Sequence, residues 1–173
     1  MGKTNSTFLK IAEKFYKCLK FSYPLPISDI IIYIILWYWW DGNMKIRIIN
    51  TEKIKEKYVK DAIQEYTKRL SAYCKVEYVE SKNPSKEITD KSYVIKIDRH
   101  GEQLSSEQLA EKVADIGLSG NSHITIFLGE DDIEADYVLS ISRMEIDINI
   151  LLIIIYEQIY RAYRIINNAP YHK

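Results

Sequence analysis

Long apolar runs are scarce in this chain of 173 residues, and their scarcity argues against a membrane span. The longest candidate, IIIYIILWYWW at 30–40, falls well short of the roughly 20 residues a bilayer-crossing helix needs. Asp29 and Asp41 bracket it, so it reads as a buried or partner-covered segment, with an interfacial anchor as the alternative. Cysteine is equally scarce. Cys18 and Cys74 are too few and too far apart for a disulfide framework or a CxxC metal site, and a reduced cytoplasmic interior is the expected setting. Neither charge is in surplus, with 24 Lys plus Arg against 24 Asp plus Glu. No bulk field attracts a polyanion, so any nucleic-acid contact has to come from a local patch. No signal peptide is evident, because the apolar run comes late and no small-residue cleavage site follows it. GxSxG, HExxH and P-loop motifs are absent, and His100, His123 and His172 lack metal-ligand spacing.

What is present is an apolar content of 47%, normal for a domain that buries a core. Asp41, Gly42 and Asn43 are turn formers ahead of a strand signal, so 44–173 reads as a domain and 1–43 as an extension. Within the extension, Phe8, Ile11, Phe15 and Leu19 recur at helical spacing, with Lys10, Lys14, Lys17 and Lys20 mostly opposite. Such a basic amphipathic helix packs on its own domain or lies on a membrane surface or RNA. The opening MGKTNS also fits the formal myristoylation pattern, a short match that carries little.

Beyond Met44, extended and helical patterns alternate. Strands are expected at 45–50, 74–80, 93–98, 123–129 and 137–142, and helices at 52–70, 105–120 and about 148–167. The first helix places Ile54, Tyr58, Ala62, Ile63, Tyr66 and Leu70 on one face. The second opens with a capping box from Ser105 to Gln108. Residues 81–92 read as loop. The pattern predicts an α/β fold, a mostly parallel sheet with flanking helices. In such sheets ligands sit at the carboxyl ends of the strands, which places a site among Asp98–Gly101, Gly129–Asp132 and Ser142–Asp147. ILLIIIY at 150–156 is apolar all round, so the last helix needs a second layer beyond the sheet. A twofold-related copy would supply it, giving a homodimer; the N-terminal extension is the alternative. Glu130, Asp131, Asp132 and Glu134 form an acidic cluster that reads as a solvated turn more readily than as a cation site.

The tail EQIYRAYRIINNAPYHK gathers Tyr160, Arg161, Tyr163 and Arg164 within about one helical turn, then Tyr171, His172 and Lys173. Cationic groups bind phosphate and aromatic rings stack on bases, so this is a candidate RNA-facing edge. Together with KIRII and KIKEKYVKDAIQEYTKRLSAYCKVEYVE (45–80) and VIKIDRHGEQLSSEQLAE (94–111), the tail resembles the RlmH family of SPOUT-class methyltransferases over nearly all of 44–173.

That resemblance implies a C-terminal trefoil knot, an exception to the rule against knotted chains. It implies methyl transfer from S-adenosylmethionine to N3 of a pseudouridine in large-subunit ribosomal RNA, by a homodimer in which one subunit's tail completes the other's pocket. By position, Ile97, Gly129 and the loop Ile141, Ser142, Arg143, Met144, Glu145 and Ile146 match the cofactor-binding residues. Arg161, Tyr171, His172 and Lys173 match the substrate-facing ones. The chain departs from the family at three places, one of them the loop at 81–92, which stands where the family has a helical segment between the second and third strands. GEDDIEAD is shorter than the Gly-Gly-x-x-Gly loop and has Glu130 at the second glycine. EIDINILLI replaces a Thr-x-Pro-His run, with Ile148 at the histidine and Leu152 at a later arginine. The alternative these departures raise is a degenerate relative that binds RNA or the ribosome without transferring a methyl group.

Overall fold

The computed structural model describes residues 44–89 and 91–170. The helix and apolar segment expected in 1–43, and Tyr171, His172 and Lys173, lie outside them. Five strands form one sheet: β1 (Lys45–Asn50), β2 (Lys75–Glu80), β3 (Tyr93–Gln103), β4 (His123–Leu128) and β5 (Tyr137–Ser140), in the order β2-β1-β4-β3-β5. Every neighbouring pair is parallel. Three helices connect and cover them: α1 (Lys57–Leu70), α2 (Ser106–Leu118) and α3 (Ile148–Ile166). No helix among the described residues is long and apolar enough to cross a membrane.

The central strands are apolar on both faces because both faces are covered, as parallel sheets require. Ile46, Ile48 and Ile49 of β1 and Ile124, Ile126, Phe127 and Leu128 of β4 are buried. The edge strand β2 instead has exposed residues between half-buried ones. α3 packs against both α1 and α2. It inserts Leu152, Ile155, Tyr156, Ile159, Ala162 and Tyr163, a stripe at spacings of three and four. On its other side Ile150 is exposed and Ile153 and Ile154 are half-buried. Cys74 is a core residue: burial, partly offset by a hydrogen bond with Tyr163, pushes its thiol up to about 12, which leaves it a poor nucleophile near neutral pH.

Three local expectations need correction. α1 starts at Lys57 rather than 52, with Glu56 in extended conformation, and its phase follows Val59, which is buried, while Tyr58 faces solvent at 52% exposure. β3 continues to Gln103, because its chain returns to β5 after an excursion. Residues 81–92 contain a short 3₁₀ turn, Pro84–Lys86, with Pro84 buried. The Ser105 capping box is present: Ser105 Oγ accepts the Gln108 N–H and Gln108 Oε1 accepts the Ser105 N–H.

Candidate functional site

The carboxyl ends of β3, β4 and β5 enclose a cavity of about 370 Å³, within the range of small-molecule sites. The β3 wall is an excursion inside the strand. Ile97 and Glu102 both register with Leu139 of β5, so residues 98–101 leave the ladder between them. Asp98 Oδ1 accepts the His100 N–H at 2.8 Å and Ser140 Oγ donates to the Arg99 carbonyl at 3.2 Å, pinning the excursion at both ends. Arg99 Nε donates to His100 Nε2 at 3.1 Å, which ties the two neighbouring side chains together.

The β4 wall is Gly129 and Glu130. At the end of β1, Asn50 is fully buried; its Oδ1 accepts the Glu52 N–H and its Nδ2 donates to the Glu52 carbonyl, a clasp that turns the chain beside β4. Thr51 is thereby set against Gly129: a Cβ there would lie 2.7 Å from Thr51 Oγ1 and 2.8 Å from Phe127 Cζ. Only glycine lets the backbone come this close. Gly129→Ala is expected to lower the unfolding free energy by about 1–3 kcal/mol, measured by urea denaturation. Glu130 is not among the positive-φ residues, so this shortened turn does not need a second glycine.

The loop from 130 to 136 is tied back to β3 by two contacts. Lys96 Nζ donates to the Asp131 carbonyl at 3.0 Å, and Asp136 Oδ2 accepts the Val94 N–H at 2.7 Å. The Asp136 carboxylate is thus a tether, and among the described residues no group of three or more His, Cys, Asp or Glu side chains could hold a metal.

The third wall is the segment after β5. Ile141, Ser142, Met144, Glu145 and Ile146 line the cavity, with Leu151 from α3. Ser142 Oγ accepts the Met144 N–H at 2.9 Å and folds the loop on itself. Asp147 caps α3 by accepting the Asn149 N–H at 2.9 Å. Hydrogen bonds from Asn149, its side chain first, hold the Asp147 carboxyl below its ordinary range. Stability from this cap is therefore present above the ordinary carboxylate pKa and is lost as pH falls through the lowered one. Asp147→Ala is expected to melt earlier than the parent at neutral pH, with the gap closing in acid, as thermal scans across pH would show.

Of the residues predicted for the cofactor, Ile97, Gly129, Ile141, Ser142, Met144, Glu145 and Ile146 come together on this cavity; Arg143 is exposed and does not line it. Lys96, Asp98, Arg99, His100, Glu130 and Leu151 are additional lining residues. The strand-end rule pointed to 98–101 and 129–132, but nothing in the sequence marked Lys96 or Leu151. Arg161 is elsewhere. Ten residues beyond Leu151 on α3, about 15 Å along the axis, it pairs with Glu157 (Nη2 to Oε1, 2.6 Å). Leu152, at the family's arginine position, is fully buried, and Ile148, at its histidine position, is half-buried and off the cavity wall.

Comparison with known proteins gives a consistent set. The family model "Predicted SPOUT methyltransferase" matches residues 44–172. The ribosomal RNA large subunit methyltransferase H of Bifidobacterium adolescentis is 42% identical, over 75% of this chain and 100% of its own length. The ribosomal RNA large subunit methyltransferase H 1 of Thermoanaerobacter sp. (strain X514) shows the same identity and coverage. The Clostridium novyi protein of the first name is 40% identical with that coverage. Three quarters of 173 residues is about 130; the Bifidobacterium alignment spans 159 positions and the Thermoanaerobacter alignment only 133.

Proposed function

The chain belongs to the SPOUT methyltransferase family, and from that premise we propose that it methylates N3 of a pseudouridine in large-subunit ribosomal RNA, with S-adenosylmethionine as the methyl donor. It is an rRNA methyltransferase by kinship. The observation that carries the cofactor assignment is the cavity itself, which collects seven of the eight positions matched to the family's cofactor contacts. The residues present fit the group: with Glu130 and Glu145 on its walls the cavity still measures about 370 Å³. When bound, the donor supplies a methyl group activated by its sulfonium.

The protein's part is largely position and charge. Ile97, Gly129 and the 141–146 loop form the walls on which an adenosyl group would rest, and the loop contacts just described hold those walls in place before binding. Such preorganisation accounts for much of a positioned transfer. Arg161, Tyr171, His172 and Lys173 would orient the RNA. α3 is compatible with a trans arrangement, because it starts at the cavity with Leu151 and leads away from it. The exposed side of α3 around Ile150 and Ile154 is the surface on which a homodimer would close. With this family come the trefoil knot and a place in the cytoplasm among the ribosomes; 1–43 would be an extension outside the methyltransferase domain, with membrane contact its secondary reading.

The binder-only alternative rests on Ile148 and Leu152, which put apolar groups where the family has polar ones. Incubation with tritiated S-adenosylmethionine and ribosomes lacking the modification separates the two. Label in large-subunit RNA is the expected result; none, under conditions where an intact relative works, leaves only the binder.

A further inference from the structure

Two of the residues that depart from the family's pattern are carboxylates on the cavity wall: Glu130 at the second glycine and Glu145 at the threonine. With Asp98 they make three carboxylates facing two cationic side chains, Lys96 and Arg99. None of the five is spent in an ion pair, since the pairs among the described residues are Arg47–Glu77, Arg69–Glu65 and Arg161–Glu157. Lys96 donates to a backbone carbonyl, Asp98 accepts a backbone N–H, and Arg99 donates to His100, none of which cancels a charge. The lining therefore carries a formal excess of one negative charge.

S-adenosylmethionine, with a carboxylate, an ammonium and a sulfonium, is a net monocation. The thioether left after transfer, S-adenosylhomocysteine, is net neutral. We propose that Glu130 and Glu145 are specificity residues that make the cavity hold the charged donor in preference to its uncharged product. The inference rests on the reading of this cavity as the cofactor site. Both carboxylates are exposed, so their attraction is screened and contributes a modest factor rather than orders of magnitude. Such a factor helps the spent product leave.

Calorimetry on the full chain tests it with three ligands: S-adenosylmethionine, S-adenosylhomocysteine, and an analogue bearing a protonated amine in place of the sulfonium. The parent protein should bind both net cations several-fold tighter than the thioether, and added salt should shrink that ratio. In Glu130→Gln/Glu145→Gln both cations should weaken by about threefold to tenfold, while S-adenosylhomocysteine affinity stays constant. Asp132→Asn, off the cavity wall, should leave the ratio unchanged. Equal weakening of all three ligands, or an unchanged ratio in the double variant, overturns the specificity role alone. Failure of the parent to bind any of the three overturns the cofactor site as well.

Discussion

A chain shortened to end at Pro170 is expected to lose about 10²-fold or more in methyl transfer while binding S-adenosylmethionine as tightly as the parent. The two readouts separate because the groups proposed for the cofactor surround the start of α3, whereas those proposed for the RNA lie toward its far end and beyond. The cavity is walled by 97–100, 129–130 and 141–146, none of which the truncation touches. The removed residues, Tyr171, His172 and Lys173, follow a helix that has already run about 15 Å beyond Leu151 when it reaches Arg161. If the tail serves a neighbouring subunit, the defect is repairable. Co-refolding the truncated chain with Gly129→Val, which disables the cavity, creates mixed dimers with one complete site. Random pairing then restores about a quarter of parental activity. No recovery would show that each tail serves its own cavity.

Gly101→Ala is expected to be the most damaging single substitution in the fold for its size. A Cβ at 101 would lie 2.7 Å from the Val138 carbonyl oxygen and 2.8 Å from the Leu139 carbonyl carbon. These are backbone atoms of β5, which cannot swing aside as the end of a side chain can. The strands must part, at about 3 kcal/mol, a sizeable share of a typical domain's stability. Melting should fall by about 10 °C. Gly101 is also the last residue of the 98–101 excursion, next to Glu102 where β3 rejoins β5, so the same shift moves the wall carrying Arg99 and His100. Cofactor affinity should fall with the melting temperature, whereas Gly120→Ala, with nothing within 4 Å of its Cβ, should leave affinity unchanged despite its positive φ.

Much of this architecture was legible in the residues because local chemistry and global packing agreed. Ser105 and Gln108 marked the start of α2, and both reciprocal bonds are made. The continuous apolar runs of β1 and β4 signalled strands buried on two faces, and the sheet is parallel throughout. Where the reading slipped, tertiary context decided. Tyr58 and Val59 are both compatible with an apolar face, and packing selects Val59, which is in helical phase with Ile63, Tyr66 and Leu70. The return of β3 after residue 101 was invisible because the pairing that defines it is with Leu139 and Ser140, far along the chain. Lys96 reaches the site by the same logic: it lines the cavity while its ammonium is held by the Asp131 carbonyl, a contact no periodicity reports. Glu130 looked incompatible with a glycine loop, yet the shorter turn passes that position without positive φ.

A crystal of the full chain grown with saturating S-adenosylmethionine tests the account most directly. We expect adenosyl density against Gly129 and Ile97, wrapped by residues 141–146, with a second subunit's tail beside the opening on the RNA side, clear of the adenosyl group. Glu130 and Glu145 folded into that space with the ligand excluded, or the ligand bound elsewhere, would contradict it.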